Sequence, residues 1–153
     1  MREVEADVGR FVMEDGRLDF MFGLPKIPGK ILEELKAQYA TSACRGLEDA
    51  SRVYYNKEEG RYVHVPLLLT EQTPVTVRFE EFHPLDLERG WVRVIDCHSH
   101  HRMRPFFSGR DVESAVLPQL YLVAGNYRTG WSFVLKAGCE NMLTDVSMEE
   151  VFK

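Results

Sequence analysis

Only one long stretch of this chain repeats its apolar residues at helical spacing. In KILEELKAQYATSA, residues Ile31, Leu32, Leu35 and Tyr39 recur on one face, at the interval of an amphipathic helix. Pro28 or Gly29 opens the helix and Arg45-Gly46 ends it. A lone amphipathic helix must cover its apolar stripe with something else, and the remaining apolar residues come in short runs of strand type. GRFVMEDGRLDFMFG reads as two strands around the turn Glu14-Asp15-Gly16. SRVYYN and RYVHVPLLL form an antiparallel pair across Lys57 to Gly60. Val75, Val77 and Phe79 alternate with polar residues, the period of a half-buried strand. WVRVIDC, rich in β-branched residues, is expected at the centre of the sheet. LYLVAG and WSFVLKA follow, separated by a turn over Asn126 to Gly130. SGRDVESAV reads as a short helix, and SMEEVFK as a terminal helical turn.

The expectation is therefore an α+β chain with a mixed, mostly antiparallel β-sheet flanked by one long and one short helix. Its 153 residues suit one domain with a sizeable core. Residues 1–27 are read as a β-hairpin extension, and residues 28–153 as the main domain. Net charge is −5, from 19 basic and 24 acidic side chains. With no basic run, nucleic acid and anionic membranes are poor partners. The apolar runs are too short to span a bilayer, and MREVEADVGR lacks the apolar centre of a secretory signal. Three widely spaced cysteines, Cys44, Cys97 and Cys139, suit a reducing cytoplasmic setting. Oligomeric state is not legible.

The chemistry concentrates in CHSHHRMRPFFSGRD, residues 97–111. His98 and His100 stand two apart at the end of a strand, so both imidazoles can share one face and one ion. The same pair also reads as two exposed histidines beside a turn. Asp111 adds a carboxylate after ten residues. Two histidines and a carboxylate suit Zn2+ and leave a fourth position for water. Ser108 and Asp111 equally form the Ser-x-x-Asp pattern of a helix-capping box. The two roles are compatible, because a capped first turn fixes the direction of the aspartate. Alternation turns Cys97 to the opposite face, as buried packing, and turns His101 away from the histidine pair; a spare ligand or a substrate contact is open to His101, but a structural or solvent role suits it better. His64 and His83 lack metal-like spacing. Trp91 and Trp131 read as core or edge aromatics. Phe106 and Phe107 fit either a peptide groove or core packing.

Taken together, His98-Ser99-His100, seven residues and Ser108-Gly109-Arg110-Asp111 match the pattern HxH-x7-SxxD. This resembles the signature of the JAMM/MPN (Mov34/PAD) zinc metalloproteases, over roughly residues 28–140. Phe106-Phe107-Ser108 looks most like the bacterial branch called PRTRC system protein A. The resemblance implies a JAMM/MPN-like fold, itself cytidine-deaminase-like. It also implies zinc held by His98, His100 and Asp111, and an oxyanion hydrogen bond from Ser108. The family places a glutamate just after its first long helix to handle the proton of the attacking water. Glu48, fifty residues before His98, occupies that place, with Asp49 as adjacent competitor and Glu80 and Glu81 on a different strand. The family often has proline after the second histidine, where this chain has His101.

The activity implied is that of a zinc metallopeptidase, an isopeptidase or peptidase of deubiquitinase-like type. Its substrate would be the glycine-ended tail of a ubiquitin-like or sulfur-carrier-like protein. The alternative reading is a non-catalytic MPN-fold scaffold or binding module. A chance ligand set in another metal hydrolase, such as a nuclease, fits the acidic charge less well.

Overall fold

The computed structural model describes residues 1–153. The chain opens with three antiparallel strands: β1 (Arg2–Ala6), β2 (Gly9–Glu14) and β3 (Arg17–Phe22). The expected Asp15-Gly16 turn joins the last two, with φ of 52° and 72°. Two successive positive φ values give a turn whose twist matches that of the strands it joins. The charged start, to which the sequence assigned no element, supplies β1. Val4 and Ala6 alternate with charged residues along it and pack against the core.

Helix α1 (Gly29–Ala43) follows, with Pro28 at its N-cap in extended geometry. Ile31, Leu35 and Tyr39 form its buried stripe. Gly46, at φ 69°, turns the chain away after the helix, a backbone state that glycine adopts without steric cost. Strands β4 (Ala50–Asn56), β5 (Arg61–Pro66), β6 (Leu69–Gln72), β7 (Val77–Phe79) and β8 (Trp91–Ser99) come next, with a 3-10 turn at Pro84–Leu87 before β8. Beyond β8 lie α2 (Gly109–Ser114), β9 (Gln119–Gly125), a second 3-10 turn at Tyr127–Thr129, β10 (Ser132–Cys139), β11 (Met142–Asp145) and the short α3 (Met148–Val151).

The main sheet has six strands in the order β11-β10-β9-β8-β4-β5, and only β8 and β9 run parallel. The α+β class, the mixed sheet and the central place of WVRVIDC thus match expectation. Two details differ. The strand expected from Val75 starts at Val77, because Pro74 lies in a turn closed by the Thr73 N–H donating to the Thr76 carbonyl. This strand also stays outside the main sheet and pairs only with β6. β11 was not anticipated. It completes a hairpin with β10 through Glu140 and Asn141, both at positive φ.

One face of the main sheet carries the hydrophobic core. Val53 and Tyr55, Ile95 and Cys97, Leu120 and Leu122, and Leu135 and Ala137 pack there with α1. Val8 of the β1–β2 turn and Phe11 and Leu18 of the N-terminal sheet belong to the same core, so residues 1–27 share one core with residues 28–153. The C-terminus is tied in as well: the Ile27 N–H donates to the Val151 carbonyl, and the Lys153 N–H to the Ile27 carbonyl.

The opposite face is polar. Cross-strand register sets Arg52 beside Asp96 and Ala50 beside His98, and partners in register share a face. Arg52 is 1 % exposed. Its Nε donates to Asp96 Oδ1 at 2.5 Å and its Nη1 to the Tyr54 hydroxyl at 3.1 Å. Tyr54 in turn donates to Asp86 Oδ1, and Arg93 forks onto both Asp86 oxygens at 2.7 Å. Asp86 also accepts from the His83 N–H, while His83 Nδ1 accepts from the Leu85 N–H. His83, given no role from the sequence, therefore caps the 3-10 turn. Burial opposes ionisation of Asp86, but the Arg93 fork, the His83 amide and the Tyr54 hydroxyl outweigh it. Together they hold the carboxyl well below its usual range.

An unfolded aspartate takes up its proton near pH 3.9, and folded Asp86 does so only at lower pH. Its stabilising contribution is therefore complete above about pH 5 and is lost as pH falls through the folded value. Asp86→Asn is expected to cost about 2 kcal/mol at pH 7. The gap to the native protein should narrow below about pH 4. Urea unfolding over a pH series checks both.

Candidate metal centre

β8 delivers the first histidine. Asp96 and His98 project from its polar face, and the strand ends at Ser99. His100 is held just beyond, its N–H donating to the Ala124 carbonyl at 2.7 Å. His101 then takes a left-handed backbone, φ 41°, and reverses the chain. The turn is pinned by three bonds: Met103 N–H to His100 carbonyl, Tyr127 N–H to His101 carbonyl and Asn126 N–H to Met103 carbonyl. His101 is buried and pairs through Nε2 with the Pro74 carbonyl at 2.7 Å. Of the roles open to it from the sequence, the structural one holds and the solvent one does not. Its contact ties the β6–β7 turn to the histidine segment.

Asp111 arrives from the other side. Ser108 caps α2, and the expected reciprocal box is formed: Ser108 Oγ accepts from the Asp111 N–H at 3.3 Å, and Asp111 Oδ2 accepts from the Ser108 N–H at 2.7 Å. The box uses one carboxylate oxygen. The other, Oδ1, lies 3.4 Å from His98 Nε2. One donor atom each from His98, His100 and Asp111 lie within 4.8 Å of one another. Capping and convergence are thus both served by the same aspartate.

The electrostatics suit a cation. Burial lowers both His98 and His100 below the ordinary histidine value, against the pull of the Asp111 charge. Both imidazoles are therefore neutral at pH 7, as a metal ligand must be. His98 Nε2 faces the carboxylate without a salt bridge between ions, and His100 Nδ1 is buried with no hydrogen-bond partner. A tetrahedral zinc with bonds of about 2.0–2.2 Å spaces its ligands about 3.3–3.6 Å apart. The His98–Asp111 separation already has that value, and the His100 donor lies within 4.8 Å of both. The donor set fits Zn2+.

Glu48 is 6 % exposed and lines the same cleft. Its backbone is clamped, with the N–H donating to the Thr73 carbonyl and the carbonyl accepting from Gln72 Nε2. Burial first, then the Asp111 charge, push its carboxyl up to about 7, while Arg110 pulls the other way. Asp49 is occupied elsewhere, accepting from the Ser42 hydroxyl and the Ala50 N–H. Glu80 and Glu81 are exposed and outside the cleft. Without a family pattern Glu48 reads as a surface carboxylate, because its burial depends on β6 crossing over it.

The cleft has a volume of about 360 Å³. Val75, Val77 and Phe79 form one wall, and Met103, Phe106 and Phe107 the other. Phe106 stacks edge-on against His100, centroids 4.6 Å apart. Asp96 and Tyr121 line it too and went unremarked in the sequence. Asp96 was legible, two residues before His98 on the same face. Tyr121 was not, because it depends on the parallel register that sets it beside Asp96. Cys97 packs in the core, and Trp131 packs against Tyr39 and Tyr127. Trp91 lies under the Arg61 guanidinium, while His64 is partly buried on β5, far from any ligand pattern.

Gly125 maintains the close approach of β9 to the loop beneath the histidines. A Cβ there would lie 2.3 Å from the Met103 carbonyl oxygen and 2.7 Å from the Pro105 nitrogen. These are backbone atoms that cannot swing aside. Gly125→Ala should destabilise the protein by about 1–3 kcal/mol, read as a lowered unfolding midpoint.

No protein-family profile matches the chain, and no curated protein matches its sequence. No helix is long and apolar enough to cross a membrane. Among solved structures, the chain is similar to the solution structure of protein DSY2949 from Desulfitobacterium hafniense. The TM-score is 0.61 at 17% identity, over 80% of this chain and 89% of that one. At that identity the likeness speaks for a shared fold.

Proposed function

We propose that the protein is a zinc metallopeptidase of the JAMM/MPN type, with the JAMM/MPN-like fold that this implies. Its reaction is hydrolysis of an isopeptide or peptide bond after the C-terminal tail of a ubiquitin-like or sulfur-carrier-like protein. The observation that carries the reading is the convergence of His98, His100 and Asp111 on one point of a cleft that also holds buried Glu48 and capped Ser108.

His98, His100 and Asp111 would hold the ion. Bound zinc supplies Lewis acidity and lowers the pKa of a water to about 7. The remaining steps belong to the chain. Ser108 keeps Asp111 aimed by holding Oδ2, which leaves Oδ1 for the ion. Glu48, drawn out of water, has a proton affinity suited to accepting a proton from the attacking water and returning it to the leaving amine. The Ser108 hydroxyl accepts from Asp111 N–H, and its own hydrogen remains to donate to the oxyanion of the peptide carbonyl. β7 pairs only with β6, so its other edge is free to bond an extended tail laid along the cleft.

Purified protein is expected to carry about one zinc per chain. Asp111→Ala should lose the metal. Glu48→Gln should keep it while hydrolysis of a glycine-ended conjugate falls by about 100-fold or more. Ser108→Ala should keep the metal with a fall of about 100-fold. Metal analysis and a gel-based cleavage assay decide. Protein free of zinc after metal-replete expression overturns the proposal. Bound zinc with no cleavage of any glycine-ended conjugate favours the binding-module reading.

A further inference from the structure

The cleft contains one cation that the proposed reaction does not use. Arg110 lines it from the first turn of α2, and its side chain is exposed. Its guanidinium makes no ion pair, whereas Arg52, Arg78 and Arg93, around the opposite wall and the floor, are each paired to a carboxylate. Arg102 and Arg104, in the same segment, also make no ion pair, in a chain whose net charge is −5. Neither of those two lines the cleft, and Arg102 lies against Gly46. Two of the acids inside are committed, Asp96 to Arg52, and Asp111 to the Ser108 amide and the histidine side, while Glu48 feels the Arg110 charge without forming an ion pair with it. Glu48 is buried beside them.

We infer that Arg110 is a specificity residue that binds a carboxylate carried by the substrate close to the bond under attack. The inference deepens the hydrolase reading and rests on it for the identity of that bond. An unpaired guanidinium offers a planar fork of donors that matches a carboxylate with two parallel hydrogen bonds. The carboxylate can be a peptide C-terminus or an acidic side chain, and both present the same two oxygens.

Three peptides separate these sources: acetyl-Leu-Gly-Gly-Ala with a free carboxylate, the same peptide as its C-terminal amide, and acetyl-Leu-Gly-Gly-Glu-amide. Binding is measured by titration calorimetry on Glu48→Gln protein, so that the peptides stay intact. Cleavage is measured separately on otherwise native protein. At least one anionic peptide is expected to bind about tenfold or more tightly than the neutral one. Preference for the free carboxylate identifies a chain terminus, and preference for the glutamate peptide a side chain. Arg110→Ala should reduce the discrimination to within about twofold, Arg110→Lys should retain part of it, and Arg104→Ala should leave it intact. Equal binding of all three peptides, or discrimination that survives Arg110→Ala, overturns the inference. Failure of the hydrolase reading shows differently, as absent zinc or absent cleavage, and leaves the binding comparison readable.

Discussion

The parallel pairing of β8 with β9 governs the rest of the molecule. Two adjacent strands running the same way cannot be joined by a tight turn, so the chain must leave the sheet and return. Residues 100–118 make that excursion, and they carry His100, the aromatic pair, Ser108 and Asp111. Ile95 to Ser99 pair with Leu120 to Ala124, which fixes both ends of the excursion. His98 stands on the outgoing strand and Asp111 on the returning segment. The chemistry is therefore gathered where the topology obliges the chain to fold back over its own sheet.

The two faces of that sheet divide the work. One is apolar and closed by α1 and the N-terminal strands. The other carries Arg52, Asp96, His98 and Tyr121, groups that are costly to bury alone. Arg52 is buried because Asp96 and Tyr54 satisfy it, and Asp86 completes the set through Arg93. A charge network of this kind adds little net stability compared with an apolar packing of the same volume, but removing one member leaves the others unpaired. It provides a rigid polar floor on which neutral histidines can face a carboxylate. Ser108 and Asp111 set the opposite wall through their reciprocal bonds.

Much of this was legible in short-range pattern. The helical stripe of α1, the Asp15-Gly16 hairpin and the β-branched run of WVRVIDC depend on neighbours a few residues apart, and each formed as read. The pairing of His98 with His100 and the cap of Asp111 by Ser108 are likewise local. Glu48 was reached only through a family pattern, since nothing in Gly46-Leu47-Glu48-Asp49 distinguishes a buried acid from an exposed one. β1 and β11 escaped notice because short strands at an edge need no strong alternation. Val75 misled for the opposite reason: it continues the alternation of Val77 and Phe79, but Pro74 and the turn closed at Thr76 keep it out of the strand.

By itself the sequence determined the class of fold, the central strand and the ligand-type residues, because these rest on spacing along one chain. Tertiary structure decided which carboxylate joins them, which walls enclose them and which cation stays unpaired. Those outcomes follow from contacts between segments far apart in sequence: Thr73 over Glu48, Pro74 against His101, Tyr121 beside Asp96. Burial and charge at these positions are properties of the assembled sheet, and no local pattern encodes them.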